Sequence, residues 1–384
     1  MKIVESTELK AFREECRSWL SDNVPREPRP HDGKAMRDYD LAWQAKQYEG
    51  GWAGLNWPVE YGGRGLSVLE QLIWHEEYAL AGGPPSGCMF VSLSHAGPTL
   101  IVSGNDEQKA KYLPTILNGT ENWCQGFSEP GSGSDLASLK TKGEIDGDDL
   151  VINGTKIWTT YAQHARWQEL LIRTDPNETR HRGLTWVICD MQAPGLEVRP
   201  IKTMAGLEHF AQCFYDDVRI PLKNVVGEVN QGWKTAMTTL GFERGTGTVA
   251  HQVELATRVD RLIGEAHAAP GGADEAQLEM LAGLKSEVMA LRSLTAASIS
   301  RGMHETVPGA EGNIVALYFG ELTRWVNAAA FDLLGAGSLE RGGYDYPYHF
   351  LECFKWAIGG GTSEIRRNTI GERVLGLPKG PKAV

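Results

Sequence analysis

The sequence predicts an α+β fold in which two helical regions flank a central β domain. The first third carries apolar residues at helical spacing, and helical segments return after Gly232. Between these regions, residues 120–228 contain short strand-like segments separated by turn signals. Because helices come first, then strands, then helices again, we expect segregated α and β parts and no alternating βαβ units.

Composition narrows the class of protein. The chain has 384 residues, 41% of them hydrophobic and 23% charged, as in a soluble protein with two or three packed units. Its net charge of −11 argues against nucleic acid as the main partner. No apolar run is long enough to span a bilayer, and the first residues are polar. The 6 cysteines are scattered without a C-x-x-C pair, so we expect reduced thiols, a cytoplasmic protein and no metal site.

The elements follow in order. In the N-terminal region, Leu9, Phe12 and Cys16 open a helix, Ser67 can cap another, and Asp106 caps one that runs to Leu117. In the middle region, residues 150–159 read as two short strands around an Asn153-Gly154 turn. Further strands are expected at 170–173, 184–189, 196–201 and 213–215, which together predict a small antiparallel barrel or sandwich. Helices are then expected at 233–263, 275–302, 311–334 and 363–374.

Two glycine-containing stretches are candidate ligand sites. Gly359–Gly361 leave backbone N–H groups bare just before Thr362 and Ser363, which can cap a helix, so this stretch can attract anions and polarised oxygens. Residues 126–135 form a polar loop whose backbone amides can approach a ring edge or a phosphate. In both cases an ordinary loop is the alternative. Gly131-x-Gly133 does not stand between a strand and a helix, so no Rossmann fold is predicted.

Three side chains are candidates for chemistry. Trp158 and Thr160 are two apart on a predicted strand and should share one face, although a Trp in the core of the barrel is the alternative. Glu243 shares a helical face with apolar residues, which is costly unless the carboxylate is paired or kept for chemistry. An ion pair with Arg244 is the structural alternative. Gly241 and the glycines after Arg244 leave room for a ligand.

Taken together, these motifs make the chain resemble the acyl-CoA dehydrogenase family. The stretches that carry the resemblance are 126–135, 152–160, 218–227, 232–233, 242–244 and 359–368. It implies an N-terminal helical domain at residues 1–119, a middle β-barrel at 120–228 and a C-terminal four-helix bundle at 229–384. It also implies FAD as cofactor, with the segment matching Gln125 to Ser134 along the flavin.

The resemblance assigns roles to individual residues. The implied cofactor contacts are Gln125, Phe127, Ser128, Gly133, Ser134, Trp158, Thr160, Asp332, Gly335, Thr362 and Glu364. Ser134, Gly241 and Arg244 are implied to contact the acyl-CoA substrate. Many members carry the catalytic base at the position of Gly360, and a smaller group, resembling isovaleryl-CoA and long-chain enzymes, carries it where Glu243 stands before Arg244. The resemblance therefore implies that Glu243 is the base and that the N–H of Gly360 binds the thioester oxygen.

Two positions depart from the family pattern. The Arg-x-x-Phe-Gly motif that holds the FAD pyrophosphate across a dimer interface is replaced by residues 258–264, and Asp332 stands where Gln is usual. Either other residues or a different subunit supply this half of the site, so a homo-oligomer and a heteromer with a related subunit both remain open.

The expected reaction is α,β-dehydrogenation of an acyl-CoA to a trans-2-enoyl-CoA, with electrons passed to an electron-transfer flavoprotein. Two alternatives remain. An acyl-CoA oxidase would pass the electrons to oxygen. A non-catalytic, FAD-binding partner subunit is favoured by the altered pyrophosphate motif and opposed by the presence of Glu243.

Overall fold

The computed structural model describes residues 5–242, 248–269, 271–302, 310–339 and 346–380. In these residues the α-helices are α1 (Thr7–Asn23), α2 (Gly33–Glu49), α3 (Val68–Leu80), α4 (Gly97–Ser103), α5 (Asp106–Leu117), α6 (Gly232–Phe242), α7 (Thr248–Ala268), α8 (Glu275–Gly302), α9 (Gly312–Leu334), α10 (Tyr346–Cys353) and α11 (Ser363–Thr369). The strands are β1 (Trp123–Gly126), β2 (Lys142–Asp146), β3 (Asp149–Thr160), β4 (Trp167–Arg173), β5 (Leu184–Asp190), β6 (Leu196–Ile201) and β7 (Phe210–Pro221).

The element order confirms the predicted α+β class, with an N-terminal helical region, one curled middle sheet and a C-terminal helical region. Contacts divide the chain into two compact units. The sheet unit comprises Asn23–Ser67 and Gly83–Gly245, and the helical unit comprises Met1–Asp22, Val68–Gly82 and Thr246–Val384. None of the helices in the described ranges is long and apolar enough to cross a membrane.

The sheet is mixed, whereas an antiparallel sheet was expected. Its strand order is β1-β4-β2-β3-β7-β6, with β5 also paired to β4. β1 runs parallel to β4, which brings Gln125 opposite Glu169. A helical turn at Ala162–His164 separates β3 from β4, and these two strands are not neighbours in the sheet. One face of the sheet packs on a core that includes Trp123, Trp167 and Trp186.

The predicted turn at Asn153-Gly154 is wrong, because β3 continues through it. The hairpin instead closes at Asp146–Asp149, where Gly147 has φ +63°. At Gly154 the register against β7 shifts, and an added Cβ would lie 2.6 Å from Thr141 Oγ1. Gly154 therefore allows close packing inside the strand. The Asn-Gly dipeptide, which favours a tight hairpin turn in other contexts, lies at a β-bulge here.

A second bulge lies at the end of β3 and re-aims one side chain. Lys156 pairs with Cys213 and Thr159 with Ala211, so Ile157 and Trp158 together oppose Gln212. Trp158 has φ +61°, in the left-handed region that bulky residues seldom adopt. A bulge turns its strand locally and changes which side chains face the core. As a result, the two buried side chains, Lys156 and Thr159, are three residues apart in the sequence, and the side chain of Trp158 between them is exposed.

The helical unit is built on α7, α8 and α9, whose facing sides form one apolar core that includes Val259, Leu291, Leu322 and Val326. The helices expected at 275–302 and 311–334 are confirmed by α8 and α9. The helix expected at 363–374 ends earlier, at Thr369, and Ile370–Val374 continue as a π-helical turn. The long helix expected at 233–263 corresponds to α6 and α7, and residues 243–247 between them lie outside the described residues.

Candidate active site

The polar loop predicted to bind the cofactor, residues 126–135, leaves the end of β1 as a closed turn. Glu129 and Ser132 exchange two backbone hydrogen bonds of 3.0 Å each. The Ser132 hydroxyl donates to the Asp135 carbonyl oxygen at 2.7 Å. Gly133 and Ser134 consequently lie at the exposed tip, and a Cβ added to Gly133 would meet nothing within 4 Å. Backbone groups at this tip can be approached closely by a ligand.

A buried lysine fixes the position of this loop. Lys156 on β3 is fully buried, and its Nζ donates to the Phe127 carbonyl at 3.0 Å and to Glu129 Oε1 at 2.9 Å. Glu129 also accepts the backbone N–H groups of Lys140 at 2.7 Å and Thr141 at 2.8 Å. The ion pair therefore fixes three segments of backbone with one pair of side chains.

Burial disfavours the charged forms of both Lys156 and Glu129. It lowers the pKa of Lys156 to about 8, although Glu129 attracts the ammonium. Burial would raise the pKa of Glu129, but Lys156 and the hydrogen bonds from Thr141 and Lys140 hold that pKa below its ordinary value. At neutral pH both groups are therefore charged, and the pair is a true ion pair.

The structure brings the polar loop next to the strand with Trp158 and Thr160. The Ile157 N–H donates to the Ser128 carbonyl at 2.9 Å, so the loop adds to β3 immediately before Trp158. Trp158 is 57% exposed and meets Phe210 edge-on, with ring centroids 6.1 Å apart. The alternative of a Trp in the sheet core is therefore wrong. The Thr160 hydroxyl has no hydrogen-bond partner among the described residues and can donate to a ligand.

Of the other predicted residues in this unit, Gln125 on β1 is partly exposed and Phe127 is buried. Gly241 on α6 is exposed, and a Cβ added there would meet nothing within 4 Å. Ala236 and Leu240 on α6 join the apolar core, as their helical spacing predicts. Glu243 and Arg244 lie outside the described residues, so their roles stay predictions.

The glycine-rich loop lies in the helical unit. Gly360 and Gly361 have φ values of +67° and +111°, a backbone region open mainly to glycine. Within the described ranges, neither N–H donates a hydrogen bond. Thr362 caps α11 by accepting the Ile365 N–H at 3.3 Å, which confirms the predicted cap. The loop thus offers two unused donors in front of a capped helix.

A buried arginine fixes this loop. Arg366 donates to the carbonyl oxygens of Gly359 and Trp356, each at 2.9 Å, and of Ala316 at 3.3 Å. Neither Arg366 nor Lys156 belongs to a sequence motif that predicts a role for it. A lysine at a buried position of a strand, in step with Leu150 and Ile152, is a signal that could have indicated Lys156. No comparable pattern indicates Arg366, because its acceptors are backbone carbonyl oxygens, one of them 50 positions away at Ala316.

A cavity of about 340 Å³ lies beside the glycine-rich loop. Thr362 and Glu364, two predicted cofactor residues, line it together with Arg324 and Arg367. Asp332 and Gly335, two further predicted cofactor residues, lie at the C-terminal end of α9. Asp332 is eight residues beyond Arg324, which is about 12 Å along a helix. Asp332 and Gly335 therefore do not share this cavity, although the resemblance implies one cofactor for all four.

The residues of the sheet unit fit a flavin ring. A flat ring with polar edges needs an exposed aromatic surface, a free hydroxyl donor and backbone groups that can come close. Trp158, Thr160 and the tip of the polar loop offer these three features along one continuous stretch of hydrogen-bonded backbone.

Comparison with protein families gives three matches that follow the chain in order. The N-terminal, middle and C-terminal domain models of the acyl-CoA dehydrogenases match residues 6–120, 124–218 and 230–375. Acyl-CoA dehydrogenase IpdE1 of Mycobacterium tuberculosis is 37% identical over an alignment of 389 positions, which spans 98% of this chain and 99% of that protein.

Two solved structures are similar along nearly the whole chain. One, a Tcur3481-Tcur3483 steroid ACAD, superposes with a TM-score of 0.88 at 31% identity, covering 99% of this chain and 100% of the other. The other is the ChsE4-ChsE5 complex from Mycobacterium tuberculosis, with a TM-score of 0.85 at 30% identity and coverage of 99% and 100%.

Proposed function

The chain belongs to the acyl-CoA dehydrogenase family, and on that premise we propose that it is itself a FAD-dependent acyl-CoA dehydrogenase. It would convert an acyl-CoA to the trans-2-enoyl-CoA. The observation that carries this proposal is the exposed Trp158 beside the unpartnered Thr160 hydroxyl, on a strand hydrogen-bonded to the polar loop. These are positions that the family sets against its flavin.

The residues that would hold FAD fall into two groups. In the sheet unit, Trp158 would cover the ring, Thr160 would donate to it, and the loop from Gln125 to Ser134 would bind its polar edge. In the helical unit, Thr362 and Glu364 line a cavity with Glu321, Arg324 and Arg367. Arg367 is paired with Glu321, so Arg324 would meet a charged part of a ligand there. FAD, when bound, supplies the acceptor for the β-hydride.

The proton chemistry would be done by the chain's own residues. Glu243 would accept the α-proton, which requires an ionised carboxylate, and Arg244 would orient it or a group of the substrate. The N–H of Gly360 would donate to the thioester oxygen as negative charge develops there. Gly360 has lost the side chain that serves as base in many relatives, but its N–H is unused in the described chain.

Partners follow from the same premise. We propose that the electrons pass to an electron-transfer flavoprotein and that the chain works in the cytoplasm as an oligomer. Both similar structures carry a pair of names, and one of them is called a complex. A related second subunit is therefore a candidate to complete the half of the FAD site in which Asp332 replaces the usual Gln.

The proposal is tested by purifying the chain alone and with each candidate partner. We expect a yellow protein whose flavin absorbance near the visible maximum is bleached anaerobically by at least one acyl-CoA. The panel should include thioesters of steroid-derived acids, because one similar structure is a steroid ACAD. Turnover with a flavoprotein acceptor but not with oxygen would separate a dehydrogenase from an oxidase. A protein that takes up no flavin under any pairing would overturn the proposal.

Trp158→Ala is expected to weaken FAD retention while costing little stability. A core tryptophan truncated to alanine costs about 3–5 kcal/mol, but Trp158 is 57% exposed and should cost well below that. The measurements are the flavin-to-protein ratio after gel filtration and the free energy of unfolding. Tyr48→Ala, at a half-exposed ring on α2, is the control. Full flavin retention together with a large loss of stability would contradict the assignment.

A further inference from the structure

A buried ionisable pair lies behind β1 and has no role in the function above. Glu169 on β4 is fully buried, and His95, on a π-helical turn at Ser92–Ala96, is 3% exposed. His95 Nδ1 lies 3.3 Å from Glu169 Oε1. Burying two ionisable groups costs free energy that apolar side chains at the same positions would not cost, so stability alone does not explain this pair. Single-turn π-helices also occur frequently at functional sites.

Both members of the pair contact Gln125. Its Nε2 lies 2.8 Å from Glu169 Oε1 and 3.1 Å from His95 Nδ1. The parallel register pairs Gln125 directly with Glu169, so the two side chains share one face of the sheet. The π-helical turn is tied to the same strand, because Ser92 Oγ accepts the Trp123 N–H at 2.8 Å. Three separate segments therefore determine the position of one amide.

The contacts also determine which way the amide points. A carboxylate only accepts hydrogen bonds, and the NH₂ group is the only donor of a glutamine side chain. The reverse orientation would bring two acceptor oxygens to 2.8 Å, so the NH₂ group faces Glu169. The carbonyl Oε1 is then the end that faces away from Glu169. Gln125 is partly exposed, and in the described chain its Oε1 accepts no hydrogen bond.

We propose that Gln125 is a specificity residue whose Oε1 accepts a hydrogen bond from a ligand N–H or O–H, and that Glu169 and His95 position it. The inference rests on the proposed function, since Gln125 stands directly before the polar loop. The donor belongs either to an N–H of the flavin ring or to a hydroxyl on the acyl group. An amide turned this way discriminates against a ligand that lacks the donor.

Gln125→Met tests the acceptor, because methionine keeps the length of the side chain and removes its polar atoms. The apoprotein is titrated with FAD, and the spectrum of the bound flavin is recorded. In a second arm, KM is measured for matched acyl-CoA thioesters with and without a hydroxyl. Loss of one hydrogen bond should weaken the affected ligand about three- to tenfold. A change confined to FAD assigns the donor to the flavin, and a change confined to the hydroxylated thioester assigns it to the acyl group.

Glu169 variants test the positioning. Glu169→Leu should reproduce the ligand effect of Gln125→Met, whereas Glu169→Gln keeps an acceptor oxygen and should recover part of it. Asp190→Asn is the matched control, because Asp190 is a half-exposed carboxylate on β5 that pairs with Arg166. That variant should leave both ligand measurements unchanged.

Two outcomes would overturn the inference. If Gln125→Met binds FAD with the wild-type affinity and spectrum and does not distinguish the two thioesters, this inference fails alone. If the wild-type protein binds neither FAD nor an acyl-CoA, it fails together with the proposed function. A Glu169→Leu protein that loses stability but keeps both ligand measurements would remove the positioning role of Glu169.

Discussion

Glu243→Gln is expected to lower the rate of flavin reduction by acyl-CoA by roughly a hundred- to ten-thousand-fold, the usual contribution of a general base. Glutamine keeps the size and hydrogen bonding of the side chain but cannot accept the α-proton. FAD content and acyl-CoA affinity should therefore stay close to the wild-type values. The measurement is anaerobic stopped-flow bleaching of the flavin in the fully loaded protein.

The same experiment separates Glu243 from other carboxylates. Glu60→Gln, at an exposed glutamate of the sheet unit, is the control and should reduce its flavin at the wild-type rate. Gly360, which the resemblance matches to the base position of many relatives, has no side chain and cannot act as the base. If Glu243→Gln reacts as fast as the wild-type protein, the base lies elsewhere, and a partner chain becomes the first place to look.

Glu129→Gln is expected to be strongly destabilising, because it leaves the buried ammonium of Lys156 without its counter-charge. Breaking a buried pair from one side costs about 3–5 kcal/mol of unfolding free energy. The double variant Glu129→Gln/Lys156→Met should recover much of this loss, because no buried charge remains. The free energy of unfolding of the single and the double variant is measured by urea denaturation. Asp190→Asn, which breaks a half-exposed pair, should cost at most about 1 kcal/mol.

The loss of stability in Glu129→Gln should also depend on pH, and the pKa of Lys156 determines the direction of that dependence. Burial lowers the pKa of Lys156 to about 8, below the unfolded value of about 10.4. Between these values the unfolded chain binds more protons, so the contribution of Lys156 to stability rises with pH. Glu129→Gln removes the electrostatic attraction that raises the pKa of Lys156, so the pKa of Lys156 falls further. Glu129→Gln should therefore be less destabilised at pH 9 than at pH 6, and an equal loss at both would contradict the account.

Local signals allowed part of the site to be predicted. The glycine-rich loop and the Thr362 cap follow from short-range backbone rules, and the structure shows both. The exposure of Trp158 is a different matter, because it results from a bulge that the strand pattern does not reveal. The Asn153-Gly154 prediction failed since Asn-Gly favours a hairpin only when the flanking strands pair with each other, and here both flanks pair with β7.

The residues that fix the site were harder to predict. Lys156 reaches its acceptors across 27 and 29 positions of sequence, and Arg366 reaches Ala316 across 50. Such contacts depend on how whole segments pack, and they cannot be predicted from the spacing of residues in the sequence. Buried polar groups must find partners, so a charged residue at a buried position predicts that a partner exists but does not say which one.

Arg366 has a consequence for the thermodynamics of ligand binding. Glycines normally give a loop many accessible conformations, and ordering them on binding costs about 1–2 kcal/mol of conformational entropy per residue. Here the guanidinium holds the carbonyl that opens the glycine run, and the Thr362 cap fixes its other end. Both ends of the loop are thus held before any ligand binds, which lowers the entropy cost of ordering the loop on binding. Under the proposed function, more of the interaction with a thioester oxygen would then remain as affinity.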